Sequence, residues 1–256
     1  VNSLDDYAAF RNRLMPQARV LIIGAGLIGC EFANDLAASG HAVQVVDPGA
    51  APLASLLPAQ VSAALRESLE ALQVRWHFGN SASSIDRVGD DHVVRFANGQ
   101  TVVVDVVLSA VGLRADTALA QAAGITTERG IVVNAQLQTS APHVYALGDN
   151  TQYASASAGM SRTLPYVMPI MTASKALAQT LAGTPTDVQF ALMPVAIKTP
   201  ALPLVVAPPL PGTSGAWHEV EEGVWQFVDE ASRVRGFVLT GAQTSRRAEL
   251  AKRVTA

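Results

Sequence analysis

Three glycines carry the clearest chemical signal in this sequence. Gly24, Gly26 and Gly29 have the spacing Gly-x-Gly-x-x-Gly and follow directly after the predicted strand Arg19–Ile23. In such a motif the first glycine permits a tight turn, and the second lets the backbone approach a pyrophosphate. The third allows the following helix to pack closely against the strand. Gly24, Gly26 and Gly29 therefore predict a dinucleotide-binding loop.

The residues around this loop fit the same use. Leu27 and Ile28 open the predicted helix, whose free N–H groups and positive dipole end can bind phosphates. The next predicted strand, Ala42–Val46, leads into Asp47, whose carboxylate can accept hydrogen bonds from the ribose hydroxyls of an adenosine. Asp47 would repel a 2′-phosphate, and no arginine follows it as far as Ala51. The pattern predicts NAD rather than NADP. The alternative to a dinucleotide-binding loop is a glycine-rich turn in an α/β protein that binds no nucleotide.

Length and composition restrict the class of protein. The chain has 256 residues, of which 49% are hydrophobic and 15% charged, and this length predicts two or more cores. The net charge of −3 comes without a basic block, so nucleic acid is not an expected partner. Apolar runs are far too short to span a bilayer, and no membrane insertion is expected.

The single cysteine and the scattered histidines limit the chemistry further. Cys30 has no second cysteine to pair with, which predicts a reducing, cytoplasmic environment. It lies among small residues, and a buried structural thiol is the favoured interpretation over a reactive one. The histidines lack the spacing of metal ligands. Neither a catalytic side chain nor a metal site is predicted.

Alternating strands and helices predict a Rossmann-like α/β domain in residues 1–112. Between Ser84 and Asp105 the pattern changes to short strands, with Asn98-Gly99 as a hairpin signal, which predicts an inserted β-meander. The strand after this meander ends at Val111 and Gly112, where a glycine permits close approach of the backbone to a ligand.

A second motif follows in residues 113–186. The predicted strand Val144–Leu147 ends at Gly148 and Asp149, and the carboxyl ends of strands are where open α/β sheets bind ligands. A helix is predicted over Pro169–Ala182. Taken alone, Gly-Asp after a strand is also a common turn. From residue 187 to 256, short strands separated by prolines predict a small α+β domain.

In this order the motifs resemble the FAD-dependent pyridine-nucleotide oxidoreductase family, and the rubredoxin-reducing members look most similar. The resemblance is strongest over residues 24–31, 144–149, 165–171 and 193–200. It implies an α/β fold with a Rossmann-like NAD domain carrying the inserted β-meander. Part of an FAD domain and a small α+β C-terminal domain would follow.

The resemblance also implies roles for four residues. Asp149, next to Gly148, is expected to bond the ribityl chain of FAD, and Val167 is expected to offer its backbone to the flavin pyrimidine edge. Lys198 is expected close to the isoalloxazine, and Glu31 where nicotinamide and flavin meet. The alternatives are a solvated surface charge for Lys198 and a helix acid that only favours the dipole for Glu31.

The function implied by this resemblance is a flavoprotein reductase that moves electrons from NADH through FAD to a small iron protein such as rubredoxin. One departure from the family is clear, because the sequence holds no second Gly-x-Gly-x-x-Gly for the ADP half of FAD. The chain is therefore expected to be a fragment lacking the N-terminal half of the FAD domain. The alternatives are an NAD-binding module without flavin or turnover, and a ferredoxin reductase of an oxygenase system.

Overall fold

The structure, a computed structural model, describes residues 3–155 and 159–254 and divides into two compact units. The first unit comprises Val1–Gly112, Pro194–Pro208 and Gly215–Arg253. The second comprises Leu113–Met193, Pro209–Ser214 and Val254–Ala256. The three-domain division predicted from the sequence stays a prediction, since these units are defined by contacts and not by family boundaries.

The helices and strands of the described residues are numbered in chain order. The helices are α1 (Leu4–Arg13), α2 (Leu27–Ala38), α3 (Ala59–Ala71), α4 (Ala118–Ala122), α5 (Val167–Leu181) and α6 (Arg247–Ala251), with a 3-10 helix at Gly241–Arg246. The strands are β1 (Arg19–Ile23), β2 (Ala42–Asp47), β3 (Arg75–Phe78), β4 (Ala82–Val88), β5 (Asp91–Phe96), β6 (Thr101–Val104), β7 (Val106–Ser109), β8 (Ile131–Val132), β9 (Thr151–Tyr153), β10 (Arg162–Thr163), β11 (Val195–Ile197), β12 (Leu204–Ala207), β13 (Gly215–Glu221), β14 (Val224–Asp229) and β15 (Val234–Thr240).

A parallel sheet of order β3-β2-β1-β7 forms the centre of the first unit. Its strands are rich in Val, Ile and Leu because both faces of the sheet are covered. Along β1, Val20 and Ile22 point into a core shared with the helices, while Leu21 packs with Phe96 and Val104 of the meander. The meander is the antiparallel sheet β4-β5-β6 predicted from the sequence. The predicted α/β fold class is confirmed.

The C-terminal strands of the first unit form an antiparallel sheet of order β11-β12-β15-β14-β13. Ile197, Leu204, Val206 and Val238 of this sheet belong to the same buried core as the apolar residues of α2 and α3. The C-terminal strands and the nucleotide-binding motif are therefore parts of one packed body.

For helix α1 the sequence pattern predicts an N-cap at Ser3 and a buried stripe formed by Leu4, Tyr7, Phe10 and Leu14. Ser3 caps it by accepting a hydrogen bond from the Asp6 N–H at 3.0 Å, as the sequence predicted. Its expected buried stripe is only partly formed, because Leu4 is 85% exposed and Tyr7 41% exposed. Phe10 alone in this helix is buried, in an edge-to-face contact with Phe32.

The second unit has a smaller core beneath α5, and a short three-stranded sheet of order β10-β9-β8. The predicted strand Val144–Leu147 was wrong, since it forms only an isolated bridge between Tyr145 and Gln138. The Ala146 N–H donates to the Leu137 carbonyl at 3.0 Å on one side. The N–H groups of Tyr145 and Leu147 point to the opposite side of the segment. They have no hydrogen-bond partner among the described residues. One edge of this segment is therefore open.

No helix within residues 3–155 and 159–254 combines the length and the hydropathy needed to cross a membrane.

An ion network ties the meander to the amino end of β1. The Asp105 carboxylate accepts a hydrogen bond from the backbone N–H of Arg19 at 2.6 Å, and it also accepts from the guanidinium. The same guanidinium donates to Asp91 at 2.7 Å. These hydrogen bonds lower the pKa of Asp105 to about 2. Side chains 86 residues apart thus fix the end of the sheet opposite the glycine loop.

We expect this network to make the first unit sensitive to acid. Asp105 has a depressed pKa in the folded state, so its contribution is present above its unfolded pKa, near 3.8, and is lost as the pH falls toward about 2. Urea unfolding followed by tryptophan fluorescence reports this unit, because Trp76, Trp217 and Trp225 all lie in it. Asp105→Asn should flatten the decline in unfolding free energy between about pH 4 and pH 2. Equal slopes for both proteins would contradict this role of Asp105.

Candidate functional site

Close packing at two glycines brings α2 onto the end of β1. Gly24 has φ +108°, and a Cβ there would lie 2.6 Å from the carbonyl oxygen of Ala110. A Cβ on Gly29 would lie 1.9 Å from the carbonyl oxygen of Gly24. Neither position can hold a side chain without moving the backbone, so both glycines have the structural role that the sequence predicted.

Gly26 differs from its two neighbours in the motif because it faces open space. It is the N-cap of α2, and a Cβ built on it would meet nothing within 4 Å. The N–H groups of Gly26, Leu27 and Ile28 have no hydrogen-bond partner among the described residues, since the first helical bond runs from Cys30 N–H to the Gly26 carbonyl. These donors and the helix dipole form a ready-made site for a phosphate group.

Asp47 ends β2 beside this loop, and its carboxylate is already bonded to the backbone. Oδ2 accepts from the Ala25 N–H at 2.7 Å, and Oδ1 accepts from the Gly49 N–H at 2.6 Å. A carboxylate has about four acceptor positions, so two remain for ribose hydroxyls. The contacts to the loop are a feature that the sequence pattern did not indicate.

Cys30 lies directly behind the glycine loop and is fully buried. Its Sγ lies 3.4 Å from the Ala25 carbonyl oxygen, and burial raises the pKa of the thiol to about 12. The interpretation as a structural thiol agrees with this environment.

Glu31 and Lys198 are brought together, although not as an ion pair. The backbone N–H of Lys198 donates to Glu31 Oε1 at 2.8 Å, and the Lys198 side chain is exposed. One helical turn further, the Oδ1 of Asn34 accepts from the Ala201 N–H at 3.0 Å. Two side chains of α2 therefore hold the turn that follows β11. Asn34 was missed from the sequence, although a buried polar residue on the apolar side of a helix was the available signal.

Val111 and Gly112 follow β7, on the opposite side of β1 from β2. Val111 is 71% exposed, and Gly112 has φ +95° with open space where a Cβ would lie. The predicted close approach of a ligand at this strand end is sterically permitted.

The second motif lies in the second unit. Gly148 has φ +101°, leaves open space at its Cβ position, and donates its N–H to the Tyr153 hydroxyl at 3.0 Å. The Asp149 side chain is exposed and makes no hydrogen bond or ion pair with any described residue. Val167 is the first residue of α5 and is 73% exposed. The Asp149 carboxylate, as a hydrogen-bond acceptor, and the exposed start of α5 at Val167 are thus available to a ligand.

The described residues contain no group of three or more His, Cys, Asp or Glu side chains placed to hold a metal ion.

Comparison with known proteins identifies the family. Residues 1–180 match the sequence model of the family described as pyridine nucleotide-disulphide oxidoreductase. Residues 187–254 match the model described as rubredoxin binding C-terminal domain.

Similar proteins agree with this assignment. The chain is 45% identical over 249 residues to a rubredoxin-NAD(+) reductase of Acinetobacter baylyi, covering 94% of this chain and 62% of that protein. It is 43% identical over 261 residues to a rubredoxin-NAD(+) reductase of Alcanivorax borkumensis, covering 100% and 66%. The chain thus spans less than two thirds of the length of these relatives.

A solved structure extends the likeness to the fold. A ferredoxin reductase from Rhodopseudomonas palustris superposes with a TM-score of 0.85 at 26% identity, covering 99% of this chain and 64% of that one. The family match alone covers well over half of the chain. The chain therefore belongs to the pyridine nucleotide-disulphide oxidoreductase family.

Proposed function

We propose that this chain carries the NADH-binding part of a flavoprotein reductase, which passes electrons from NADH through FAD to a small iron protein such as rubredoxin. The observation that supports it best is the group of free N–H donors at the start of α2, facing the open space beside Gly26. Asp47 stands at the neighbouring strand end to receive the adenosine ribose. The names of the relatives and of the C-terminal family model support rubredoxin as the acceptor.

The residues in the first unit fit NADH. The N–H groups of Gly26, Leu27 and Ile28 would hold the pyrophosphate, and Asp47 would orient the adenosine ribose. Val111 and Gly112 leave room for the nicotinamide half at the end of β7.

The residues in the second unit fit only part of FAD. Gly148 and Asp149 would hold the ribityl chain, and the N–H at Val167 would meet the pyrimidine edge. Among the described residues no second glycine loop is present to cradle the FAD pyrophosphate. When bound, FAD accepts hydride from NADH and releases electrons singly. Lys198 would lie close to the isoalloxazine, and Glu31 where nicotinamide and flavin meet. Glu31 also accepts a hydrogen bond from the Lys198 backbone N–H.

Two other functions remain as alternatives. The likeness to a ferredoxin reductase allows a ferredoxin as acceptor, and the match of residues 187–254 to a rubredoxin binding domain is what favours rubredoxin. A nucleotide-binding module without flavin is the second alternative for this polypeptide alone. A reducing, cytoplasmic location is part of the proposal, since Cys30 is the only cysteine and is buried.

Gly26→Val should abolish NADH binding and leave the fold unchanged. Gly26 has φ −78° and ψ −169°, which valine adopts readily, and its side chain would fill the space that the pyrophosphate needs. Fluorescence titration with NADH measures the loss, and circular dichroism checks the fold. Gly29→Ala is the contrasting variant, because its Cβ would collide with Gly24 and lower the thermal midpoint. Retained NADH affinity in Gly26→Val would place the phosphate site elsewhere.

The unmodified chain should bind NADH more tightly than NADPH, because the carboxylate of Asp47 repels a 2′-phosphate. Asp47→Ala should weaken NADH binding by about 1–3 kcal/mol, the loss expected for charge-assisted hydrogen bonds. Parallel titrations of both proteins with both nucleotides provide the test. Equal or tighter binding of NADPH by the unmodified chain would show that Asp47 does not set the preference.

This 256-residue chain should not retain FAD by itself. The ribityl and flavin contacts are present, but the contacts to the pyrophosphate and adenosine are missing, which should weaken affinity by several orders of magnitude. The measurement is the visible absorption spectrum of the purified chain, because bound flavin absorbs at about 450 nm. Adding the N-terminal FAD-binding half of a relative should restore both the colour and NADH-dependent reduction of rubredoxin. Stoichiometric FAD on the chain alone, bleached by NADH, would contradict this expectation.

A further inference from the structure

The carboxylate of Asp47 joins two separate backbone segments. Its Oδ2 accepts from the Ala25 N–H at 2.7 Å, inside the glycine loop, and its Oδ1 accepts from the Gly49 N–H at 2.6 Å, in the segment after β2. Both distances are as short as those of charge-assisted hydrogen bonds. Glycine at position 49 leaves room for this arrangement, because a Cβ there would lie 2.8 Å from Asp47 Oδ1.

Ala25 is held on its other side as well. Its carbonyl oxygen accepts from the Leu53 N–H at 3.0 Å, and Leu53 adopts φ +54° in a buried turn. Ala25 is only 3% exposed, so water is poorly placed to replace either partner. If the Asp47 carboxylate were lost, the Ala25 N–H would become a buried donor without an acceptor.

Fixing Ala25 also aims the N–H of Gly26. The Ala25 carbonyl and the Gly26 N–H belong to one planar peptide unit and point in opposite directions. With the carbonyl held by Leu53, the Gly26 N–H is directed away from the core, toward the open space beside the helix start. Asp47 and Leu53 together therefore set the direction of a phosphate-binding donor before any nucleotide arrives.

We propose that Asp47 is a positioning residue for the phosphate-binding loop, in addition to its contact with ribose. This inference rests on the proposed function, since it assigns a second role within the NADH site. Replacement of Asp47 would then have two separate effects on NADH binding. One is the loss of hydrogen bonds to the ribose hydroxyls, and the other is the loss of order in the Ala25 and Gly26 peptides.

A cycle of changes in protein and ligand distinguishes the two roles. The probes are NADH and an NADH analogue whose adenosine ribose lacks both hydroxyls, and the proteins are the unmodified chain and Asp47→Asn. Asparagine has one acceptor oxygen and cannot satisfy both the Ala25 and the Gly49 N–H groups. If Asp47 served the ribose only, the substitution would not change affinity for the analogue. We expect Asp47→Asn to weaken binding of the analogue by about five-fold or more, and a change of less than about two-fold would overturn the proposal.

Amide hydrogen exchange of the nucleotide-free chain provides a second, independent readout. Asp47→Ala, which removes both acceptor oxygens, should accelerate exchange at the Ala25 and Gly49 amides by about ten-fold, while amides in the core of β1 stay unchanged. Asp90→Ala is the matched control, because the Asp90 side chain is fully exposed and its one salt bridge among the described residues is a long contact of 3.8 Å with Arg87. Unchanged exchange at Ala25 would overturn the proposal. If the unmodified chain binds no NADH, the proposed function fails, and the exchange rates alone then decide whether Asp47 orders the loop.

Discussion

The contact between Gly29 and Gly24 is the constraint on which the proposed nucleotide site depends. Helix α2 can begin at the end of β1 only because no side chain separates the two backbones, where a Cβ would lie 1.9 Å from an oxygen. That contact points the start of the helix at the carboxyl edge of the sheet. The order β2-β1-β7 then brings Asp47 to one side of the loop and Gly112 to the other. This close approach of two backbones thus places the start of α2, where we propose that phosphate binds, between two strand ends.

The parts of this fold that could be predicted are those in which neighbouring residues decide the outcome. The glycine spacing, the N-cap at Ser3 and the turn at Asn98-Gly99 each depend on local backbone preferences, and each is where the sequence placed it. The family assignment and the α/β fold class are confirmed for the same reason, since the motifs that carry them are contiguous. The roles of the individual binding residues stay proposals.

The parts that could not be predicted depend on partners far away in the chain. Asn34 is buried because its amide oxygen accepts a hydrogen bond from a backbone N–H 167 positions later. Its place on the apolar side of α2 was visible in the sequence, but the identity of its partner was not. Val144–Leu147 has the composition of a strand, but it pairs with the rest of the chain only through the single bridge between Tyr145 and Gln138, so it forms no ladder. Leu4 and Tyr7 have helical spacing, yet of the predicted stripe only Phe10 and Leu14 pack against the core. In each case the local sequence pattern is compatible with the predicted structure, and contacts with distant residues decide whether that structure forms.

The position of the Arg19–Asp105 network has a consequence for how the chain can vary in length. The network lies at the amino end of β1, about 16 Å along the chain from Gly24 of the glycine loop, given a rise of about 3.3 Å per residue. The nearby turn at Gly89 and Asp90 projects into solvent, with Gly89 at φ +65° and the Asp90 side chain fully exposed. Extra residues inserted at that turn would extend outward from the end of the sheet opposite the proposed nucleotide site. This turn is therefore suited to carry a fused domain or a fluorescent label that reports on the first unit without disturbing its nucleotide site.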